Sequence, residues 1–220
     1  MYPELKSIGY VEATLVGNMQ SDDFRLAHFN KVAKAVLEGV KEGTERFIVT
    51  CGTDFLHYLS AALSFLLKDV PCSVLVVGSQ RSSDRGSSDA GMNLICAAQF
   101  LAATEYQGTA ACMHATTNDT TCNIIAGYAA RKMHSSRRDA FRSINNSIVA
   151  QVDYGKKEVL LKQEISIQEK PIPADIPLFN EKLKIGLIYA HPQMWADEIE
   201  HYKHYDGLIL AGSGLGHFPI

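Results

Sequence analysis

Apolar residues return every three or four positions across 22–40, where Leu26, Phe29, Val32, Ala33, Val36, Leu37 and Val40 share one face and Lys31, Lys34 and Glu38 take the other. That spacing predicts an amphipathic helix. Ser21, Asp22 and Asp23 bring N-cap chemistry to its start, and Gly43 stops it. Phe47-Ile48-Val49-Thr50 then reads as a short buried strand that ends at a small polar turn, Cys51-Gly52-Thr53-Asp54. A second helix is predicted over 55–67, apolar nearly all round, with Ala61 and Ala62 permitting close packing. Pro71 separates it from a strand predicted over 72–78. The unit is strand, helix, strand, of the parallel type.

The pattern repeats after a polar excursion over 79–89, with a helix predicted at about 90–103 and a strand at about 109–113. Such alternation argues an α/β fold, a three-layer, doubly wound and mostly parallel sheet. Between Cys122 and Leu161 the alternation is lost. Ile124-Ile125, 128–130, 148–152 and 158–161 read as shorter strands of mixed direction, a β-rich edge. Pro171, Pro173 and Pro177 mark an exposed connection, after which 184–189 and 206–210 read as two more core strands flanking a helix at about 195–201. The chain has no internal repeat, low-complexity tract or second complete domain.

Composition narrows the class. With 220 residues, 46% hydrophobic and 20% charged, the chain is long enough to bury a full core, which excludes disorder and small disulfide scaffolds. Its 21 Lys+Arg against 24 Asp+Glu give a net charge of −3, so no basic field holds a phosphate backbone unaided, and any RNA contact would need a partner. The apolar runs fall far short of the roughly 20 residues of a bilayer span, and no leader-like segment follows Met1. Cys51, Cys72, Cys96, Cys112 and Cys122 are odd in number and lack CxxC or Cys/His ligand spacing, which argues free thiols, a reducing cytoplasm and no metal.

Open parallel sheets bind ligands beyond the carboxyl ends of their strands. Gly52-Thr53-Asp54 follows one strand, the 78–89 loop the next and the 212–216 turn the last, so the topology predicts that they converge on one rim. Thr53 and Asp54 read either as an N-cap turn or as a hydroxyl and a carboxylate beside free helix N–H groups. Ser82-Ser83-Asp84-Arg85 and Arg131-Lys132-Met133-His134 read either as solvated surface or as rim groups. The 212–216 turn lacks the Lys and Ser/Thr of a phosphate loop, which argues against nucleotide binding. His114, His134 and His191 lack metal-ligand spacing and read as core or surface histidines.

At these residues a resemblance appears. Val49-Thr50-Cys51-Gly52-Thr53-Asp54-Phe55 resembles the asparaginase-family segment T-H-G-T-D-T, and Val76-Val77-Gly78-Ser79-Gln80-Arg81 resembles the V-G-A-Q/M-R strand and loop that follows it. Within that family the tracts 81–89 with Met92-Asn93-Leu94, 132–141 (KMHSSRRDAF) and 212–219 (GSGLGHFP) resemble the GatD branch, from the archaeal glutamyl-tRNA(Gln) amidotransferase. The resemblance implies an asparaginase N-terminal, flavodoxin/Rossmann-like fold. It also implies hydrolysis of a side-chain amide by a Thr nucleophile, a second Thr-Asp-Lys set that manages protons, and donors for the oxyanion. Thr53, Asp54 and Lys132 match that second set. Ser21 and Asp22 fall where the family grips the substrate's α-amino and α-carboxylate groups, with Gly52 and Gln80 as further substrate-binding positions. Cys51 replaces the usual His, and Phe55 the Thr after Asp.

The family's first nucleophilic Thr belongs to a T-G-G-T-I strand and loop preceding the segment matched by Tyr2-Pro3-Glu4-Leu5, and its first domain closes near 212–219. The resemblance therefore implies an incomplete asparaginase-like N-terminal catalytic domain over 1–220, without its first strand, its nucleophile loop or a C-terminal domain, and so inactive alone. It further implies ammonia release from glutamine or asparagine, without a cofactor, for the conversion of Glu-tRNA(Gln) to Gln-tRNA(Gln). The implied partners are a homodimeric mate and GatE, the amidotransferase component that binds ATP and tRNA. A cytoplasmic L-asparaginase fragment and a non-catalytic assembly module are the alternative readings.

Overall fold

A computed structural model describes residues 2–219 of the chain. Two compact units make it up, residues 1–178 and residues 179–220. In chain order the first holds α1 (Leu5–Ile8), α2 (Leu26–Lys41), β1 (Arg46–Thr50), α3 (Leu56–Leu66), β2 (Ser73–Val77), α4 (Ala90–Ala103) and β3 (Gly108–His114). There follow β4 (Thr121–Ala126), β5 (Ala130–Lys132), β6 (Phe141–Ser143), β7 (Ala150–Asp153) and β8 (Glu158–Leu161).

One sheet runs β1-β2-β3-β4-β7-β8. Its first three strands are parallel, and β4, β7 and β8 continue it antiparallel as the β-rich edge expected from the loss of alternation. The sheet is thus mixed. β2 is buried on both faces, which is why Val74-Leu75-Val76-Val77 reads as a continuous apolar run. Leu75 and Val77 join Cys96, Ala97 and Phe100 of α4 with Ala110, Cys112 and Ile124 in one core cluster. Leu56, Leu59 and Leu63 of α3 pack against β2 and β3 from the other face. The layers are helix, sheet, helix. Because the chain steps the same way from β1 to β2 to β3 while α3 and α4 cover opposite faces, the two crossovers have opposite hands, and one is of the rare left-handed kind.

Two expectations are corrected in this unit. Ser21, Asp22 and Asp23 do not cap α2; they form their own 3₁₀ turn, and the helix starts at Leu26 after the extended N-cap Arg25. The reason is tertiary: the Ser21 hydroxyl accepts the Phe55 backbone N–H at 3.3 Å, and the backbone N–H of Arg25 donates instead to His28 Nδ1 at 2.9 Å. The strand expected at 128–130 begins at Ala130, after a turn closed by the Ala129 N–H on the Ala126 carbonyl, and its partner β6 went unrecognised. At three residues each, these strands are too short for a period of two to show.

The second unit holds β9 (Ile185–Tyr189), α5 (Ala196–Glu200), a 3₁₀ turn at His201–His204 and β10 (Gly207–Ala211). β9 and β10 pair in parallel as a separate two-stranded sheet, not as core strands of the large one. Tyr202 packs on Gly186 and Ile188 is buried, while Ile185, Leu187, Tyr189 and Ile209 are exposed.

Candidate active site

Two of the three predicted rim segments lie at the carboxyl ends of adjacent parallel strands, 51–55 after β1 and 78–89 after β2. The 212–216 turn belongs to the second unit. Thr53 and Asp54 sit in the short turn between β1 and α3, so their side chains stand at the rim.

Lys132 arrives there from β5, held in register by pairing with the fully buried Phe141 and by the Met133 N–H on the Ala140 carbonyl. Its ammonium donates to Thr53 Oγ1 at 2.8 Å and to Asp54 Oδ1 at 2.7 Å. The Lys132 side chain is 9% exposed and the Asp54 side chain 66%, so the pair lies half in solvent with the amine on its protected side. Packing sets the hydroxyl's place: a Cβ on buried Gly78 would fall 2.9 Å from Thr53 Cγ2 and 2.7 Å from Leu56. Only glycine lets β2 end so close beneath Thr53.

The other expected residues divide. Ser21 is buried on this turn through its bond to the Phe55 N–H, and Gly52 leaves the room, since a Cβ there would stand 2.8 Å from Ser21 Oγ. Asp22, next to Ser21, is exposed. Gln80 donates through Nε2 to the Arg137 carbonyl at 2.8 Å, which ties the 78–89 loop to the hairpin that follows Lys132. Among the described residues no group of three or more His, Cys, Asp or Glu side chains is arranged for a metal ion. Burial pushes the Cys51 thiol up to about 12, which disfavours its thiolate.

Sequence reasoning missed His57. On the first turn of α3, it lines the open pocket over this group with Asp54, Tyr58, Arg131, Lys132, Met133, His134 and Ser135. Burial first, then the positive charges of Arg131 and Lys132, push its imidazole down to about 4, against the pull of Asp54. It stays neutral beside two cations. The available signal was its place three residues after Asp54, which puts both on one side of a helix start.

Residues 1–166 match the family described as Asparaginase, N-terminal. The chain belongs to the asparaginase family. It is similar to the glutamyl-tRNA(Gln) amidotransferase D subunit (GatD) of Methanococcus vannielii, 40% identical over 223 residues that cover 99% of this chain and 51% of that protein. The GatD of Pyrococcus horikoshii is 39% identical over 220 residues, covering 99% of this chain and 49% of its own. This asparaginase-family chain thus spans about half the length of these relatives. Among solved structures, the thermostable L-asparaginase of Thermococcus kodakarensis superposes with a TM-score of 0.82 at 27% identity, over 98% of this chain and 63% of that one. The probable cytoplasmic L-asparaginase of Campylobacter jejuni, with a TM-score of 0.80 at 20% identity over 99% and 68% of the two chains, shares the fold. No helix among the described residues is long and apolar enough to cross a membrane.

Proposed function

We propose that Thr53, Asp54 and Lys132 form the proton-managing part of an amidohydrolase site that releases ammonia from glutamine or asparagine. The chain then works as the GatD part of a tRNA-dependent amidotransferase, passing ammonia to a GatE partner that holds ATP and Glu-tRNA(Gln). The observation that carries the reading is the Lys132 ammonium hydrogen-bonded to both Thr53 and Asp54. The similarity to GatD over 99% of the chain supports it.

The chemistry follows from the geometry. A water or hydroxyl attacking the amide carbon must lose a proton, and the departing nitrogen must gain one. The Lys132 ammonium gives a proton to the leaving nitrogen, which departs as ammonia, and is refilled from the Thr53 hydroxyl. That hydroxyl in turn takes the proton lost by the attacking water or hydroxyl, so both side chains end as they began. Asp54 keeps the amine aimed. Ser21 and Asp22 are assigned to the α-amino and α-carboxylate ends of the substrate, with Gly52 and Gln80 as further substrate-binding positions; Ser21 and Gly52 meet at the turn that carries Thr53.

Ammonia release from glutamine and from asparagine, measured with and without GatE, tests this together with a titration of each amide against the chain. Turnover that falls 10²-fold or more in Lys132→Ala supports the reading. The chain alone is expected to be silent for want of the family's first Thr. A folded chain that binds neither amide and releases no ammonia even when joined by separate pieces carrying the T-G-G-T-I loop and the C-terminal part overturns the reading. The likeness to the Thermococcus kodakarensis enzyme favours a second reading, hydrolysis of asparagine without a partner, which a strong preference for asparagine unaffected by GatE would select.

A further inference from the structure

The hairpin that carries Lys132 is fastened by a closed circuit of hydrogen bonds. Arg138, on the connection between β5 and β6, donates to Asp119 Oδ1 at 2.7 Å. Asp119 Oδ1 lies 3.1 Å from His114 Nε2, and His114 Nδ1 lies 2.6 Å from Asn93 Oδ1. Asn93 Nδ2 donates to Asp89 Oδ2 at 3.0 Å, and the same carboxylate oxygen accepts the Gln80 N–H at 3.0 Å. The Gln80 side chain then closes the circuit on the Arg137 carbonyl, the residue before Arg138.

Most of it lies out of solvent. Asp89, Asn93 and His114 are fully buried, and the Arg138 side chain is 15% exposed. Asp89 also accepts the Arg81 N–H at 2.8 Å, and Asn93 Nδ2 also donates to the Gly78 carbonyl at 3.0 Å, directly beneath Thr53. Arg138 makes a second bond to the Ser87 carbonyl. Because Asn93 Nδ2 is committed to two acceptors, its Oδ1 faces His114, so both imidazole nitrogens meet oxygen acceptors. Asp119 is held below the ordinary carboxylate range, first by the His114 hydrogen bond, which with the Arg138 charge outweighs the opposing effect of burial.

We propose that Arg138 and Gln80 are positioning residues for Lys132, with Asp119, His114, Asn93 and Asp89 as the rigid bracket between them. The proposal rests on the reading of Lys132 as the proton-managing amine. Physically, a three-residue strand pairing contributes little stiffness of its own. A closed network, buried except at Asp119, has no free end at which to loosen, so it fixes both Gly78 under Thr53 and the segment after Lys132. It also gives the tracts 81–89, Met92-Asn93-Leu94 and 132–141 one physical role, since all three meet in it.

The test needs no turnover, so it is judged apart from the amide chemistry. Acylation of Lys132 by acetic anhydride, followed by mass spectrometry with exposed Lys34 as internal reference, is combined with hydrogen exchange across residues 133–140. In Arg138→Ala the Lys132 rate relative to Lys34 is expected to rise at least threefold and exchange over 133–140 at least tenfold, with 121–126 unchanged. Arg138→Lys, which keeps a cation for Asp119, restores part of both. Gln80→Ala gives the same pattern and decides the matter if Arg138→Ala does not fold. Wild-type values in Gln80→Ala and in folded Arg138→Ala overturn the proposal. If ammonia release is established, Arg138→Ala lowers kcat and leaves KM in place; loss of binding in that variant instead also overturns the proposal.

Discussion

Lys132 Nζ stands 2.8 Å from Thr53 Oγ1 across 79 positions of sequence. The contact joins the turn after β1 to a short hairpin strand, and the same amine reaches Asp54 at 2.7 Å. Removing it leaves a hydroxyl without its donor and a carboxylate that water can still solvate. Lys132→Ala is therefore expected to change stability by no more than about 1 kcal/mol, because Asp54 is largely exposed. Any amidohydrolase turnover should fall 10²-fold or more. Urea melts and ammonia assays on one preparation check the pair of outcomes.

His57 gives the chain a measurable acid sensitivity. Burial and two neighbouring cations push the folded imidazole down from about 6.5 to about 4. Between those values the unfolded chain binds the proton that the folded chain refuses, so acid favours unfolding. The stability from a neutral His57 is present above pH 6.5 and is lost as pH falls through about 4. Since the ring is only half-buried, solvent screening holds the loss to ~1–2 kcal/mol. Urea unfolding from pH 7 to pH 4 should show a shallower decline in His57→Gln than in the unaltered chain. Parallel declines would contradict the assignment.

Gly52 is expected to resist even one methyl group. A Cβ there would stand 2.8 Å from Ser21 Oγ, 3.1 Å from Ser21 Cβ and 3.3 Å from its backbone nitrogen. Gly52→Ala should displace the 3₁₀ turn at Ser21–Asp23 and cost about 1–3 kcal/mol. Restored stability in the double variant Ser21→Gly with Gly52→Ala would tie the cost to this contact, as a thermal melt can show.

Asp139 anchors the far end of the Lys132 hairpin. Its buried carboxylate accepts Arg137 Nε at 2.9 Å, Arg137 Nη2 at 2.8 Å and Arg142 Nη2 at 2.8 Å, and the Arg137 hydrogen bond leads in holding it below the usual carboxylate range. Asp139→Ala should destabilise by roughly 1–3 kcal/mol, since both arginines remain half-exposed and rehydrate. The carboxylate's contribution belongs to pH above its unfolded range and fades as pH falls through the lowered folded value. At pH 7 denaturant midpoints of the two proteins should differ, and by less at pH 3.

Local pattern made the central elements legible. The helical period across Leu26, Phe29, Val36 and Val40 marks α2, and the unbroken run Val74-Leu75-Val76-Val77 marks β2, because each is buried in a way that one period or one run records. The site was legible only through a resemblance, since Thr53-Asp54 and Lys132 look like a cap turn and a solvated charge when read singly. Ser21 was misjudged as a helix cap because the N–H it accepts, that of Phe55, is 34 residues away. β5 and β6 escaped because three-residue strands are specified by pairing, not by pattern.

The order of apolar and polar residues by itself determined the α/β alternation, a β-rich edge and the polar segments that follow β1 and β2. Those features follow from which side chains must leave water over a few successive turns or strands. Tertiary structure alone decided that Lys132 meets Thr53 and that neutral His57 sits beside two cations. It alone joined Arg138 to Gln80 through exposed Asp119 and three buried side chains. Each of these depends on distances between segments far apart in the chain, which hydrophobic period does not encode.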